Sequence, residues 1–62
     1  MCELKAYMKR QDKEELLLEA VNLVRIEGEE VIVRNLFGEE KRVRAGIREV
    51  SLARNRVLLE PR

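Results

Sequence analysis

The residue with the clearest capacity for chemistry in this chain is a cysteine, and the sequence has one, Cys2. There is no histidine, no Ser/His/Asp set and no glycine-rich phosphate loop, so the sequence predicts no enzyme. A thiolate near a free amino terminus is a chelating unit, because the sulfur, the Cys2 amide nitrogen and the terminal amine can occupy adjacent positions around one metal. Fused chelate rings hold these donors near a plane, an arrangement that suits Ni(II) or Cu(II).

Met1 decides which nitrogen completes this donor set. If Met1 is retained, its amine is the donor and its thioether lies nearby; if it is trimmed, Cys2 supplies the amine. One chain has too few donors for a closed tetrahedral zinc site, whereas a two-fold dimer could bring two Cys2 thiolates together. Free cysteine is also among the most buried residue types. Cys2 as a small apolar residue in register with Leu4, Ala6 and Met8 therefore stays open as the alternative.

Three arginines, Arg34, Arg42 and Arg44, form the second candidate site. On strands Arg42 and Arg44 share a face, and small β-barrels bind single-stranded nucleic acid by combining positive charge with aromatic stacking. Only Tyr7 and Phe37 could supply that stacking. A solvated face on which the arginines pair with glutamates is therefore preferred over an RNA contact, which we keep as the alternative function.

Charge supports this preference. The chain has 13 basic and 12 acidic residues, a net charge of +1, whereas a polyanion binder usually has a strong basic excess. The balance is uneven along the chain: residues 1–30 have 5 basic and 8 acidic side chains (−3), and residues 31–62 have 8 and 4 (+4). Nucleic acid is thus an unlikely partner.

The length predicts a single domain over residues 1–62 with a small hydrophobic core. A chain of 62 residues buries about 60% of the surface of its unfolded form and usually needs a disulfide, a metal or a partner chain. One cysteine excludes an internal disulfide, so we expect a homodimer. No apolar run is long enough to span a membrane, no signal peptide is recognisable, and a lone cysteine fits a reducing cytosol. We therefore expect a cytoplasmic protein.

Hydrophobic periodicity predicts an all-β fold. Residues 2–9 alternate between apolar and polar side chains, the period of a half-buried strand. Residues 13–24 could instead form a helix, because Lys, Glu, Leu and Ala favour one, but no cap or glycine stop separates them from the β-branched residues that follow. We expect further strands at residues 15–19, 21–27, 31–34, 41–45, 47–52 and 57–59, with turns at 10–14, at Gly28, at 36–40 and at 53–56.

This spacing favours a small SH3-like or Sm-like barrel of about six or seven short strands. Residues 16–18, 31–33 and 57–59 each place apolar side chains on both faces of a strand. A single-layer barrel buries only one face, so the excess predicts a second covered surface and self-association.

Several segments together resemble the CooT family of small bacterial and archaeal proteins. They are Met1-Cys2-Glu3, Glu14-Glu15-Leu16-Leu17, Leu36-Phe37-Gly38-Glu39-Glu40-Lys41 and Gly46-Ile47-Arg48-Glu49-Val50. Members were first labelled predicted RNA-binding proteins. The resemblance implies a small β-barrel homodimer that binds Ni(II) where two N-terminal cysteines meet, and a role in maturing the nickel site of carbon monoxide dehydrogenase.

The site residues that this resemblance carries over are Cys2 and, as terminal donor, Met1. The chain departs from the family pattern in two places. Leu4 is bulkier than the small residue often found there, which would alter packing behind the site. Arg54-Asn55-Arg56 replaces a histidine that members often have in the last turn, so no histidine ligand is available.

Overall fold

The computed structural model describes residues 4–62, which form a closed five-stranded barrel in the order β1-β2-β3-β4-β5. Neighbouring strands pair antiparallel, except that β1 and β5 close the barrel through a parallel ladder. The prediction of an all-β barrel is confirmed. The strands are β1 (Leu4–Arg10), β2 (Lys13–Glu27), β3 (Glu30–Asn35), β4 (Glu40–Ser51) and β5 (Arg56–Pro61).

The predicted count of six or seven strands is wrong. The long strands β2 and β4 each bend, and the two halves of each pair with different neighbouring strands. Residues 13–21 of β2 pair with β1 and residues 21–27 pair with β3. Ala20 has a φ of 56° beside this change of partner. A positive φ, like a β-bulge, bends a strand without ending it. The strands expected at 15–19 and 21–27 are therefore one element.

In β4 the equivalent bend lies just beyond Gly46. Residues 40–44 pair with β3 and residues 45–51 pair with β5, with a register shift between Ile47 and Glu49. The two strands predicted at 41–45 and 47–52 are therefore one strand with an irregularity beside Gly46.

The local expectations for the turns and for residues 13–24 are also settled. Lys13–Glu27 is strand throughout, so the helical alternative is wrong. Gly28 and Gly38 have φ values of 61° and 85°, which glycine adopts at no steric cost. Within residues 4–62 no helix is long and apolar enough to cross a membrane.

Alternation along the strands fills the barrel interior with aliphatic side chains. In β1, Ala6 and Met8 are buried and Leu4 packs against the core, as the period of two predicts. The expected place of Cys2 in the same inward series lies outside the described residues. The buried cluster consists of Ala6, Met8, Leu18, Val21, Val31, Val33, Ala45, Val57 and Leu59.

Apolar residues on the outer face of β3 and β5 do not require a second chain. Ile32 and Leu58 are each only 5% exposed. Ile32 lies between Arg25 and Arg42 on the flanking strands, and long charged side chains cover apolar surface with their aliphatic stems. The inference of self-association from these two segments is therefore corrected. The exposed large apolar side chains lie elsewhere: Leu36, Phe37 and Leu52 in turns and loops, and Leu16, Ile26, Ile47 and Val50 on β2 and β4.

Ala20→Gly is expected to raise the free energy of unfolding. Alanine at a φ of 56° is strained by roughly 1–2 kcal/mol. Glycine relieves this strain, but its greater conformational entropy in the unfolded chain cancels part of the gain in stability. We expect a gain of about 1 kcal/mol by urea denaturation. Ala45→Gly is the matched control: Ala45 is buried without a positive φ, so the same change should destabilise. Equal losses in both variants would contradict a strained bend.

Candidate functional site

The described chain starts between β2 and β5, at one end of the barrel. Leu4 pairs with Val21 of β2, at the bend of that strand. On the other side, the Lys5 amide donates a hydrogen bond of 2.9 Å to the carbonyl of Asn55, and Lys5 pairs with Arg56 of β5. Met1 and Cys2, the predicted metal-binding residues, lie outside the described residues, and Glu3 separates them in the sequence from Leu4.

The turn at residues 36–39 borders the chain start on the β2 side. Asn35, the last residue of β3, pairs with Val21, which in turn pairs with Leu4. The Leu36 amide donates a hydrogen bond of 3.0 Å to the carbonyl of Ala20, at the bend of β2. The turn is therefore held one strand away from the place where the chain begins.

Asn35 organises this turn. It is 3% exposed, and its Oδ1 accepts hydrogen bonds from the backbone amides of Phe37 (3.0 Å) and Glu39 (2.9 Å). Its Nδ2 donates to Glu39 Oε1 at 2.7 Å. In the backbone, the Asn35 amide donates to the Glu39 carbonyl and the Gly38 amide donates to the Asn35 carbonyl. Buried polar groups are costly unless bonded, and here every bond made by Asn35 fixes the turn.

Sequence reasoning did not single out Asn35. Asparagine side chains commonly bond backbone amides two residues further on in turns, so Asn35 ahead of Leu36-Phe37-Gly38 was the available signal. Its burial could not be inferred, because it depends on the bend of β2 at Ala20.

Exposed apolar side chains surround the chain start. Leu36 and Phe37 in the turn are 61% and 78% exposed. On the other side, Val50 near the end of β4 and Leu52 in the loop at 52–55 are 52% and 79% exposed. Exposed apolar groups gathered in one region mark an interaction surface more often than scattered ones. We call the chain start, the turn at 36–39 and the loop at 52–55 the N-terminal end of the barrel.

Arg56 ties three strands together beside the chain start. Its guanidinium lies 4.6 Å from the centroid of the Tyr7 ring on β1 and forms an ion pair with Glu14 on β2. The hydrogen bond to Glu14 raises the pKa of Arg56, outweighing the opposite effect of burial. Its Nε is buried with no hydrogen-bond partner in the described part of the chain. The cation–π contact and the ion pair offset that cost.

Arg34, Arg42 and Arg44, the candidate RNA contacts, share the outer face of β3 and β4, and each pairs with a carboxylate. The distances are 3.2 Å from Arg34 to Glu40, 2.8 Å from Arg42 to Glu30 and 3.1 Å from Arg44 to Glu29. The hydrogen bond to Glu30 raises the pKa of Arg42.

The arginine face has no net charge. Arg25 pairs with Glu27 on the same face, so four arginines and the four glutamates Glu27, Glu29, Glu30 and Glu40 cancel. This agrees with a solvated face cross-paired with glutamates and offers phosphates no excess positive charge.

Metal-binding groups do not gather elsewhere in residues 4–62: that part of the chain has no group of three or more His, Cys, Asp or Glu side chains placed to hold an ion. The donors predicted from the sequence, the thiolate of Cys2 and the nitrogens of the N-terminus, lie outside the described residues. Thiolate and nitrogen donors fit Ni(II), which accepts square-planar coordination. Lys5, three residues after Cys2 in the sequence, is anchored to Asn55 by its backbone amide.

Comparison with known proteins agrees with this architecture. The family described as "CO dehydrogenase accessory protein CooT" matches residues 1–60. A crystal structure assigned as a CooT from Carboxydothermus hydrogenoformans is 38% identical, covers 98% of both chains and superposes with a TM-score of 0.90. A comparison with curated proteins gives no match. The chain is thus a small closed β-barrel of the accessory-protein class. It belongs to the CooT family.

Asn35→Ala is expected to destabilise the protein by about 2–3 kcal/mol, because it leaves the amides of Phe37 and Glu39 without an acceptor. Glu39→Gln is the matched control, since its amide oxygen can still accept from Asn35 Nδ2, and it should cost less than about 1 kcal/mol. Urea denaturation measures both. Similar losses in the two variants would show that the turn does not depend on Asn35.

Proposed function

We propose that this chain is a cytoplasmic nickel-binding accessory protein that acts as a homodimer. Two Cys2 thiolates and the N-terminal nitrogens, with Met1 as terminal donor if it is retained, would hold one Ni(II) between two chains. The ion is cargo, to be stored or passed to the maturation of carbon monoxide dehydrogenase, and the protein itself catalyses no reaction. The proposal deepens the family's description as CO dehydrogenase accessory proteins.

The observation that carries the proposal is the position of the chain start at an end of the barrel rich in exposed apolar side chains. Lys5 is tied to Asn55 and Leu4 is paired with Val21, so the described chain begins at a fixed position on the barrel. Leu36 and Leu52 lie on either side and are largely exposed. A second copy that covered this end would bring two Cys2 thiolates close to the same axis.

The donor chemistry favours binding that can be reversed. One thiolate and one nitrogen from each chain make up the four donors of a square-planar set only when both chains contribute. Each chain alone is an incomplete ligand, so separation or rearrangement of the chains would weaken the hold on the ion. A site made of chain termini, without a surrounding cage, suits delivery better than permanent retention.

Nickel titration tests the site. One Ni(II) per two chains is expected, with sulfur-to-nickel charge-transfer absorption, because a bound thiolate donates charge to the metal. Cys2→Ser should abolish that absorption and weaken binding. A Gly-Ser extension before Met1 is the matched control for the amine, since it moves the terminal nitrogen away and leaves the thiol in place. Undiminished binding by Cys2→Ser would rule out the site.

A test in cells addresses the role in maturation. In a host that makes carbon monoxide dehydrogenase but lacks its own accessory protein of this family, the chain is expected to lower the nickel concentration needed for enzyme activity. Cys2→Ser, expressed to the same level, should have no such effect because it cannot carry the ion. Equal support from both proteins would exclude nickel delivery through Cys2.

A further inference from the structure

We infer that the open edge of β2 binds an extended, basic segment of another protein as an added strand. The open edge is the side of residues 13–19 that faces away from β1. The inference goes beyond the proposed function, because it concerns how the chain contacts a partner protein. It holds whether or not Cys2 binds nickel.

The backbone of this part of β2 is paired on one side only. Residues 13–18 pair with β1, whereas the pairing of β2 with β3 begins at Val21. Within residues 4–62, the bond from the Leu36 amide to the Ala20 carbonyl is the last backbone contact on the β3 side. A row of unpaired amides and carbonyls is a template on which an extended peptide can add a strand.

The acidic side chains that could block this edge are engaged on the other side of β2. Glu14 forms an ion pair with Arg56 of β5, and Glu15 forms one with Arg10 of β1. Both arginines lie on the β1 side, so they draw the two carboxylates away from the open edge. Charged side chains are one of the usual means by which proteins protect a strand edge. Here two of them leave it accessible.

An apolar groove lies along the open edge. It has a volume of about 350 Å³ and is lined by residues 16–19 of β2 and by Asn35, Phe37, Glu39 and Lys41. Leu16 is 47% and Phe37 78% exposed, and Leu17 is partly buried against the core. An added strand would bond to the backbone and cover these side chains with its own alternate residues.

Charge identifies the kind of segment that fits. Glu19 and Glu39 form no ion pair with a basic side chain within residues 4–62, and Lys41 is the one basic residue that lines the groove. Opposite charges on neighbouring strands stabilise their pairing. A segment in which lysine or arginine alternates with apolar residues would therefore satisfy both the carboxylates and the leucines.

The same carboxylates disfavour a second copy of this chain on the open edge. Two such edges paired antiparallel about Leu17 would place Glu15 opposite Glu19 twice. Pairing centred between Leu16 and Leu17 would place Glu14 opposite Glu19 twice. Like charges directly opposite each other destabilise a strand pair. A basic segment of another protein has no such conflict.

Nuclear magnetic resonance on the metal-free full chain tests the inference, with a short capped peptide of alternating lysine and valine as the probe. Saturable binding is expected, and it should slow hydrogen exchange at those amides of residues 14–19 that do not bond to β1. The same peptide with every backbone amide N-methylated keeps its side chains but has no donors, so it should bind at least about tenfold more weakly. A peptide of alternating glutamate and valine should not bind.

Variants of the chain locate the bound peptide. Leu16→Lys and Glu19→Lys change exposed residues of the open edge and should each weaken binding of the lysine–valine peptide about tenfold at low salt. Ile26→Lys and Glu49→Lys are the matched controls, because both residues are exposed and neither lines the groove. They should bind the peptide as wild type does. Circular dichroism and thermal melts establish that each variant is folded.

Cys2→Ser separates this inference from the proposed function, since it removes the proposed nickel ligand and should bind the peptide as wild type does. Absence of saturable binding, equal binding of the N-methylated peptide, or equal losses in the control variants would overturn the inference. So would slow exchange of the same amides in the protein without peptide. Protection that fell on dilution would then assign the edge to a second copy, and protection that did not would assign it to another part of this chain.

Discussion

The parallel ladder between β1 and β5 is the constraint on which the rest of this small protein depends. Four residue pairs, from Lys5–Arg56 to Met8–Leu59, join the first strand to the last. They close the barrel around an aliphatic core, which is small because a chain of 62 residues buries a limited fraction of its surface. Arg56 reinforces the closure from outside through Tyr7 and Glu14. The ladder begins at Lys5, so the contacts that close the core also hold the first described residues of the chain in place.

Much of the barrel could be predicted from the sequence because its strands follow simple periods. Alternation in β1 and the β-branched run of β3 identify those elements directly, and Gly38 indicates its turn. The number of strands could not be predicted, since the bend of β2 depends on a positive φ at Ala20, a conformation that alanine rarely adopts. The residue types near Ala20 therefore suggest two separate strands, whereas β2 continues through this position.

On the outer surface, too, some features could be predicted from the sequence and others could not. Pairing of Arg34, Arg42 and Arg44 with glutamates follows from charges placed on neighbouring strands and was expected. The burial of Ile32 and Leu58 was not, because it depends on which long side chains flank them. Nor could Asn35 be recognised as the centre of the turn without knowing that Val21 and Ala20 lie beside it. The candidate metal site remains a prediction from Cys2, whereas the surface beside the described chain start could be seen only in the fold.

The direction of β5 has a practical consequence. Because β5 runs parallel to β1, residue 62 lies at the opposite end of the barrel from the chain start, where its amide bonds to the Arg44 carbonyl. Six strand residues separate the two ends by about 20 Å. An affinity tag, fluorophore or surface linkage at the carboxyl terminus would leave the amino-terminal face open. Circular permutation would need a linker that crosses the whole barrel.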